Sequence, residues 1–82
     1  MNPSELRQRI KARIRDGTIP RERPARIWGS AGGARPCAAC GEMIHGSDME
    51  IELEFLEPMG FRAYDMHTRC FAVWELQRHD AE

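Results

Sequence analysis

Leu6, Ile10 and Ile14 recur every fourth residue, the spacing that lines one face of a helix. The start of that helix is marked. Asn2 offers a capping oxygen, Pro3 already has helical φ, and Glu5 can reach back to the cap. Gly17 and then Pro20 end it. The pattern predicts a helix over roughly residues 3–16. A different period governs the second half. Met49, Ile51, Leu53 and Phe55 alternate with Glu50, Glu52 and Glu54, predicting a strand with one buried face and one acidic, wet face. Glu57-Pro58-Met59-Gly60 reads as a turn, and Phe61 to Tyr64 as the return strand of a hairpin. A last helix is expected from about Thr68 to His79, with Phe71, Val73, Trp74 and Leu76 as its apolar residues.

Between these regular parts, residues 17–36 carry Pro20, Pro24 and Pro36 together with Gly29, Gly32 and Gly33. They are expected to be extended and irregular. Trp28 is expected to anchor this stretch on the folded part, because a solvated linker rarely contains tryptophan. The chain thus divides into a helix and extended arm over residues 1–35 and a second module over residues 36–82.

Composition narrows the class. With 82 residues, 41% apolar and 30% charged, the chain suits one small globular domain, short enough to need a staple beyond its core. Its apolar runs are too short to span a bilayer, and Met1 to Arg15 lacks the hydrophobic stretch of a secretory leader, so a cytoplasmic location and no membrane partner are expected. The net charge of −1 hides an asymmetry. Residues 1–36 hold nine basic and three acidic side chains, whereas residues 37–82 hold three and ten. All the basic residues but Lys11 are arginine, suited to bidentate contact with phosphate or carboxylate.

Three cysteines make a poor disulfide framework, since one is left over, but three thiolates and one imidazole complete a tetrahedral zinc set. Cys37-x2-Cys40 and His67-x2-Cys70 supply that set, separated by 26 residues that hold the predicted hairpin. The first pair falls in a tight turn, which Gly41 lets fold back. The second falls at a helix start, where the dipole favours the Cys70 thiolate. A redox Cys-x2-Cys pair would leave His67 and Cys70 without a role. A retroviral-type knuckle using His45 would need a cysteine at position 50, where Glu50 stands, so His45 is assigned to a loop. Four protein ligands leave no open position, so one structural zinc ion is expected. The fold class expected is α+β, a zinc-stabilised, treble-clef-like order of turn, hairpin and C-terminal helix, preceded by an amphipathic helix.

Cys37-Ala-Ala-Cys40-Gly-Glu-Met-Ile44, an acidic strand and then His67-Thr-Arg-Cys70-Phe71 resembles the zinc fingers of poly(ADP-ribose) polymerases, and also the first half of a LIM domain. The likeness covers about residues 36–76. The whole chain is similar to small bacterial proteins with a basic helix, a Pro/Arg segment, a Trp-Gly stretch and this Cys3His core. Polymerase fingers bind DNA breaks and LIM fingers bind proteins, so the resemblance implies a zinc module that binds a macromolecule. The acidic strand departs from the DNA-binding pattern.

Two partner classes stay open. Arg7, Lys11, Arg15, Arg21, Arg23, Arg26 and Trp28 form the candidate nucleic-acid-binding set, with arginines for phosphates and an indole for stacking. The alternative is a protein-interaction adaptor that docks through the Leu6/Ile10/Ile14 stripe or the acidic hairpin. No Ser/His/Asp order and no open metal triad occurs, so neither an enzyme nor a small-molecule substrate is expected.

Overall fold

The computed structural model describes residues 1–80. Residues 81 and 82, the end of the expected second module, lie outside the described residues. Helix α1 spans Pro3–Arg15. Strands β1 (Arg26–Ala31), β2 (Arg35–Pro36), β3 (Met43–Ile44), β4 (Met49–Glu57) and β5 (Gly60–His67) follow, and helix α2 (Thr68–Asp80) ends the fold.

The start of α1 is built from the residues that signal it. The Asn2 side chain accepts the Glu5 amide at 2.8 Å, and its own amide donates to the Glu5 carboxylate at 2.9 Å. This reciprocal cap is worth about 1 kcal/mol. At the other end Gly17 takes a φ of +84°, the left-handed conformation that stops a helix without a Cβ clash. Leu6, Ile10 and Ile14 are buried. They pack along α2 and join one core with Ile19, Ile44, Leu53, Phe55, Met66 and Trp74. The stripe therefore serves this chain's own core and is not offered to a partner. Residues on both sides of position 35 build that core.

β4 and β5 pair from Glu57↔Gly60 to Glu50↔His67, as the hairpin pattern predicts. Beyond β4 the structure differs from expectation. Residues 26–31, expected to be irregular, form an antiparallel strand against β4, in the sheet order β1-β4-β5. Ile27 and Trp28 are too few to announce a strand, and the open edge of β4 supplies the reason for one. Leu53, Phe55 and Met66 are buried on the face that meets the helices. The opposite face carries Glu50, Glu52, Glu54, Trp28 and Asp65.

That acidic face is drier than the alternation predicts. Glu50 is only 6% exposed and accepts the Gly33 amide at 3.1 Å. Glu54 accepts the Trp28 indole N–H at 3.1 Å and lies 4.0 Å from the Arg26 guanidinium. Trp28 remains 50% exposed, so strand pairing holds this segment more than burial of its indole does. Trp74 is the buried tryptophan. It donates to the Pro20 carbonyl at 2.9 Å and stands edge-on to Phe55 with centroids 6.3 Å apart. Aromatic pairs of this kind add about 0.5–1.5 kcal/mol beyond area burial. Of the other apolar residues expected on α2, Phe71 and Val73 pack partly against the core, while Leu76 is exposed.

Candidate metal centre

β2 and β3 form a short ribbon, pairing Arg35↔Ile44 and Pro36↔Met43, and the turn between them carries Cys37 and Cys40. The Gly41 amide returns to the Cys37 carbonyl at 2.9 Å, and the Cys37 amide donates to the Glu42 carbonyl at 2.8 Å. Gly41 sits at a φ of +83°, which makes the tight reversal possible. The Glu42 amide points at the Cys40 sulfur, 3.4 Å away. Two links fix the ribbon to the main sheet: the Ala38 amide to the Asp65 carbonyl at 2.8 Å, and Arg35 to the Asp65 carboxylate at 3.4 Å. His67 is the last residue of β5, and Cys70 lies in the first turn of α2.

These elements bring Cys37, Cys40, His67 and Cys70 together. One donor atom from each lies within 4.8 Å of every other. The three cysteines are buried and unpaired as disulfides. Nδ1 of His67 lies 3.5 Å from the Cys40 sulfur and 3.7 Å from the Cys70 sulfur. Ligand bonds of about 2.0–2.1 Å to nitrogen and 2.3 Å to sulfur, at tetrahedral angles, place such atoms about 3.6 Å apart. The other ring nitrogen, Nε2, lies 3.2 Å from the Met43 carbonyl. As its donor, Nε2 leaves Nδ1 the lone pair that faces the sulfurs. The four side chains fit one metal ion.

Without a metal the three thiols titrate unequally. The Cys70 thiol donates to Cys37, and backbone amides of Cys40, His67 and Ala39 assist, holding the Cys37 thiol at about 4. As donor to Cys37, and by burial, the Cys70 thiol is pushed up. Burial pushes Cys40 up as well. One thiolate thus forms at the expense of its neighbours, whereas a dication stabilises three thiolates at once.

Two arginines of α1 brace the turn. Arg9 donates to the Cys40 carbonyl and Arg13 to the Ala38 carbonyl, each at 2.6 Å. Sequence reasoning missed this role. Its one signal is position, since both residues border the buried Leu6/Ile10/Ile14 stripe. His45 is exposed and lies outside the donor set.

The candidate nucleic-acid-binding residues do not converge on one surface. Arg7, Lys11 and Arg15 form an exposed row on α1 with no hydrogen bond or ion pair among the described residues. Arg21 and Arg23 are exposed in the segment after α1. Arg26 stacks over Phe61 at 5.2 Å and, with Trp28, engages Glu54 on the sheet face turned away from the helices. No helix of the described residues is long and apolar enough to cross a membrane.

No family model, curated protein or solved structure matches this chain; the structure itself shows a Cys3His donor set that could hold a metal ion, in a small α+β fold.

Proposed function

We propose that this chain is a zinc-stapled module that presents a cationic helix face to the phosphate backbone of a nucleic acid. Zinc is the metal this reading assigns, because three thiolates and one imidazole at tetrahedral spacing suit it best. The ion's part is structural. Four protein donors close the site, which supports a binding role over catalysis and leaves no position for a substrate.

One observation carries the nucleic-acid reading. The fold engages Arg9, Arg13, Arg26, Arg35, Arg62 and Arg78 in its own contacts, yet among the described residues the side chains of Arg7, Lys11 and Arg15 have no partner, as those of Arg23 and Arg69 have none elsewhere on the surface. These three stand four residues apart on one helix face, a spacing that lets them contact successive phosphates. Binding of this kind is sequence-tolerant and salt-dependent.

Titration of labelled duplex DNA over a salt series tests it. Neutralising three phosphates gives a log–log slope of about −2.7. The triple change Arg7→Gln, Lys11→Gln and Arg15→Gln flattens the slope and abolishes binding at moderate salt. Failure of the wild-type protein to bind at low salt, or unchanged binding by the triple variant, overturns the reading.

A further inference from the structure

We propose that β1 is a self-pairing edge, and that two copies of this chain join β1 to β1 across a two-fold axis at Gly29 to form one six-stranded antiparallel sheet. The inference is independent of the nucleic-acid reading, because it uses neither α1 nor the metal.

β1 ends the sheet order, and all six of its residues are exposed. The far edge of β5 is different, since Ala38 and Arg35 cover it at Asp65. Natural edges are usually guarded by lysine, proline or a bulge. β1 carries a charge only at its first residue, Arg26, where the Ala25 amide also reaches the Glu54 carbonyl; from Ile27 to Ala31 it has no charge and no proline, and its pairing with β4 is unbroken to Ala31↔Met49.

The register decides how a second copy fits. The Gly32 amide donates to the Asp48 carbonyl, so even-numbered residues of β1 turn their backbone groups toward β4. Ile27, Gly29 and Ala31 therefore turn theirs toward the open edge. Among antiparallel self-pairings of these three residues, centring on Gly29 gives full overlap. It sets Ile27 opposite Ala31, Trp28 opposite Ser30, and Gly29 opposite itself. Each large side chain then meets a small one. No side chain occupies the axis itself.

Both faces continue across the join. On the helix side, rows run from Met49 and Ala31 into Ile27 and Leu53 of the second copy. They cover Ile27 and Met49, which are 51% and 54% exposed in the single chain. On the outer side, Arg26 is the only charged residue of β1. It comes to lie in a row with Glu54 of its own sheet and Asp48 of the second copy. No like charges face each other across the join. Charge and shape thus favour a second copy of this chain as the occupant.

Sedimentation of the full-length, metal-loaded chain over a concentration series is expected to show a monomer–dimer equilibrium. Gly29→Pro removes an outward N–H without touching the ladder to β4, and should weaken the dimer at least about tenfold. A register-specific test stands beside it. Facing residues of a hydrogen-bonded antiparallel pair have Cα atoms about 5.5 Å apart, within disulfide reach. A Cβ at Gly29 meets only Ile51 and Met49 side chains at 3.8 Å, so cysteine is accommodated there. Under mild oxidation Gly29→Cys should give a covalent dimer, and Ser30→Cys should not. A chain that stays monomeric at its highest soluble concentration leaves the edge to a foreign strand and overturns the proposal. So does equal cross-linking of the two cysteine variants. If Gly29→Pro fails to fold, the cysteine pair decides.

Discussion

Arg9 donates to the carbonyl of Cys40 at 2.6 Å, so the first helix holds the backbone of a candidate metal ligand 31 positions away. Arg13 does the same for Ala38 at 25 positions. The candidate metal site is therefore not confined to the half of the chain that supplies its four donors.

Removing these braces should weaken metal binding without touching a ligand. Arg9→Met and Arg13→Met each leave a partly buried carbonyl without its charged donor, and outer contacts of this kind are worth about 10–100-fold in affinity. Competition against a chelating indicator measures the loss. Arg7→Met, on the exposed row, should leave affinity unchanged.

Metal removal should unfold more than the turn. Zinc sites in small fingers contribute about 10–16 kcal/mol, which exceeds the net stability of most domains. Chelation should abolish the helical circular dichroism of α1 as well as α2, because both helices share one core with Cys37, Cys40 and Cys70. Retention of α1 signal after chelation would contradict this coupling.

Glu52 should make stability fall as pH rises. Burial, with Asp65 directly opposite it on β5, raises the Glu52 carboxyl above its ordinary 4.5. The folded chain thus binds this proton more tightly than the unfolded chain. Its contribution is fully present below about 4.5 and is lost as pH rises through the folded value. Glu52→Gln should therefore have a higher melting temperature than wild type at pH ~7, and the gap should close as pH falls toward the unfolded value. Melting curves of both proteins across that range check the sign.

The two tryptophans should respond unequally. Trp74→Phe leaves the Pro20 carbonyl without its donor inside the core, a loss of about 1–3 kcal/mol. Trp28→Phe removes a half-exposed contact to Glu54 and should stay within about 0.5 kcal/mol. Denaturant unfolding of each variant, metal present throughout, measures the difference.

Gly32→Ala should prevent the native fold. A Cβ at Gly32 collides with the backbone carbonyl of His45, which cannot move aside as a side chain tip would. Soluble yield and melting temperature report the outcome. Gly46→Ala, with only an ordinary contact at 3.9 Å, is the tolerated comparison.

The parts legible in the sequence are those whose signals are local. Leu6, Ile10 and Ile14 announce α1 by spacing alone, and the two Cys/His pairs announce the donor set in the same way. β1 was hidden because its stability comes from β4, whose partner residues lie 18 to 28 positions along the chain, and not from its own two large apolar residues. The arginines of α1 were hidden for a related reason. Arg7 and Arg9 look alike in a sequence, and what separates a solvated cation from a brace is a carbonyl that the fold brings from residue 40. Glu50 likewise reads as a wet strand residue until Gly33 is seen to donate to it.

His67 ends β5 and Thr68 begins α2, with no residue between strand, ligand and helix. The junction locks the two ladders in phase. Inserting one residue there would turn α2 by about 100° relative to the sheet. Cys70 would swing away from the sulfurs and Trp74 out of the core in the same motion. Surface loops generally accept added residues, but at this joint a single residue is all or nothing.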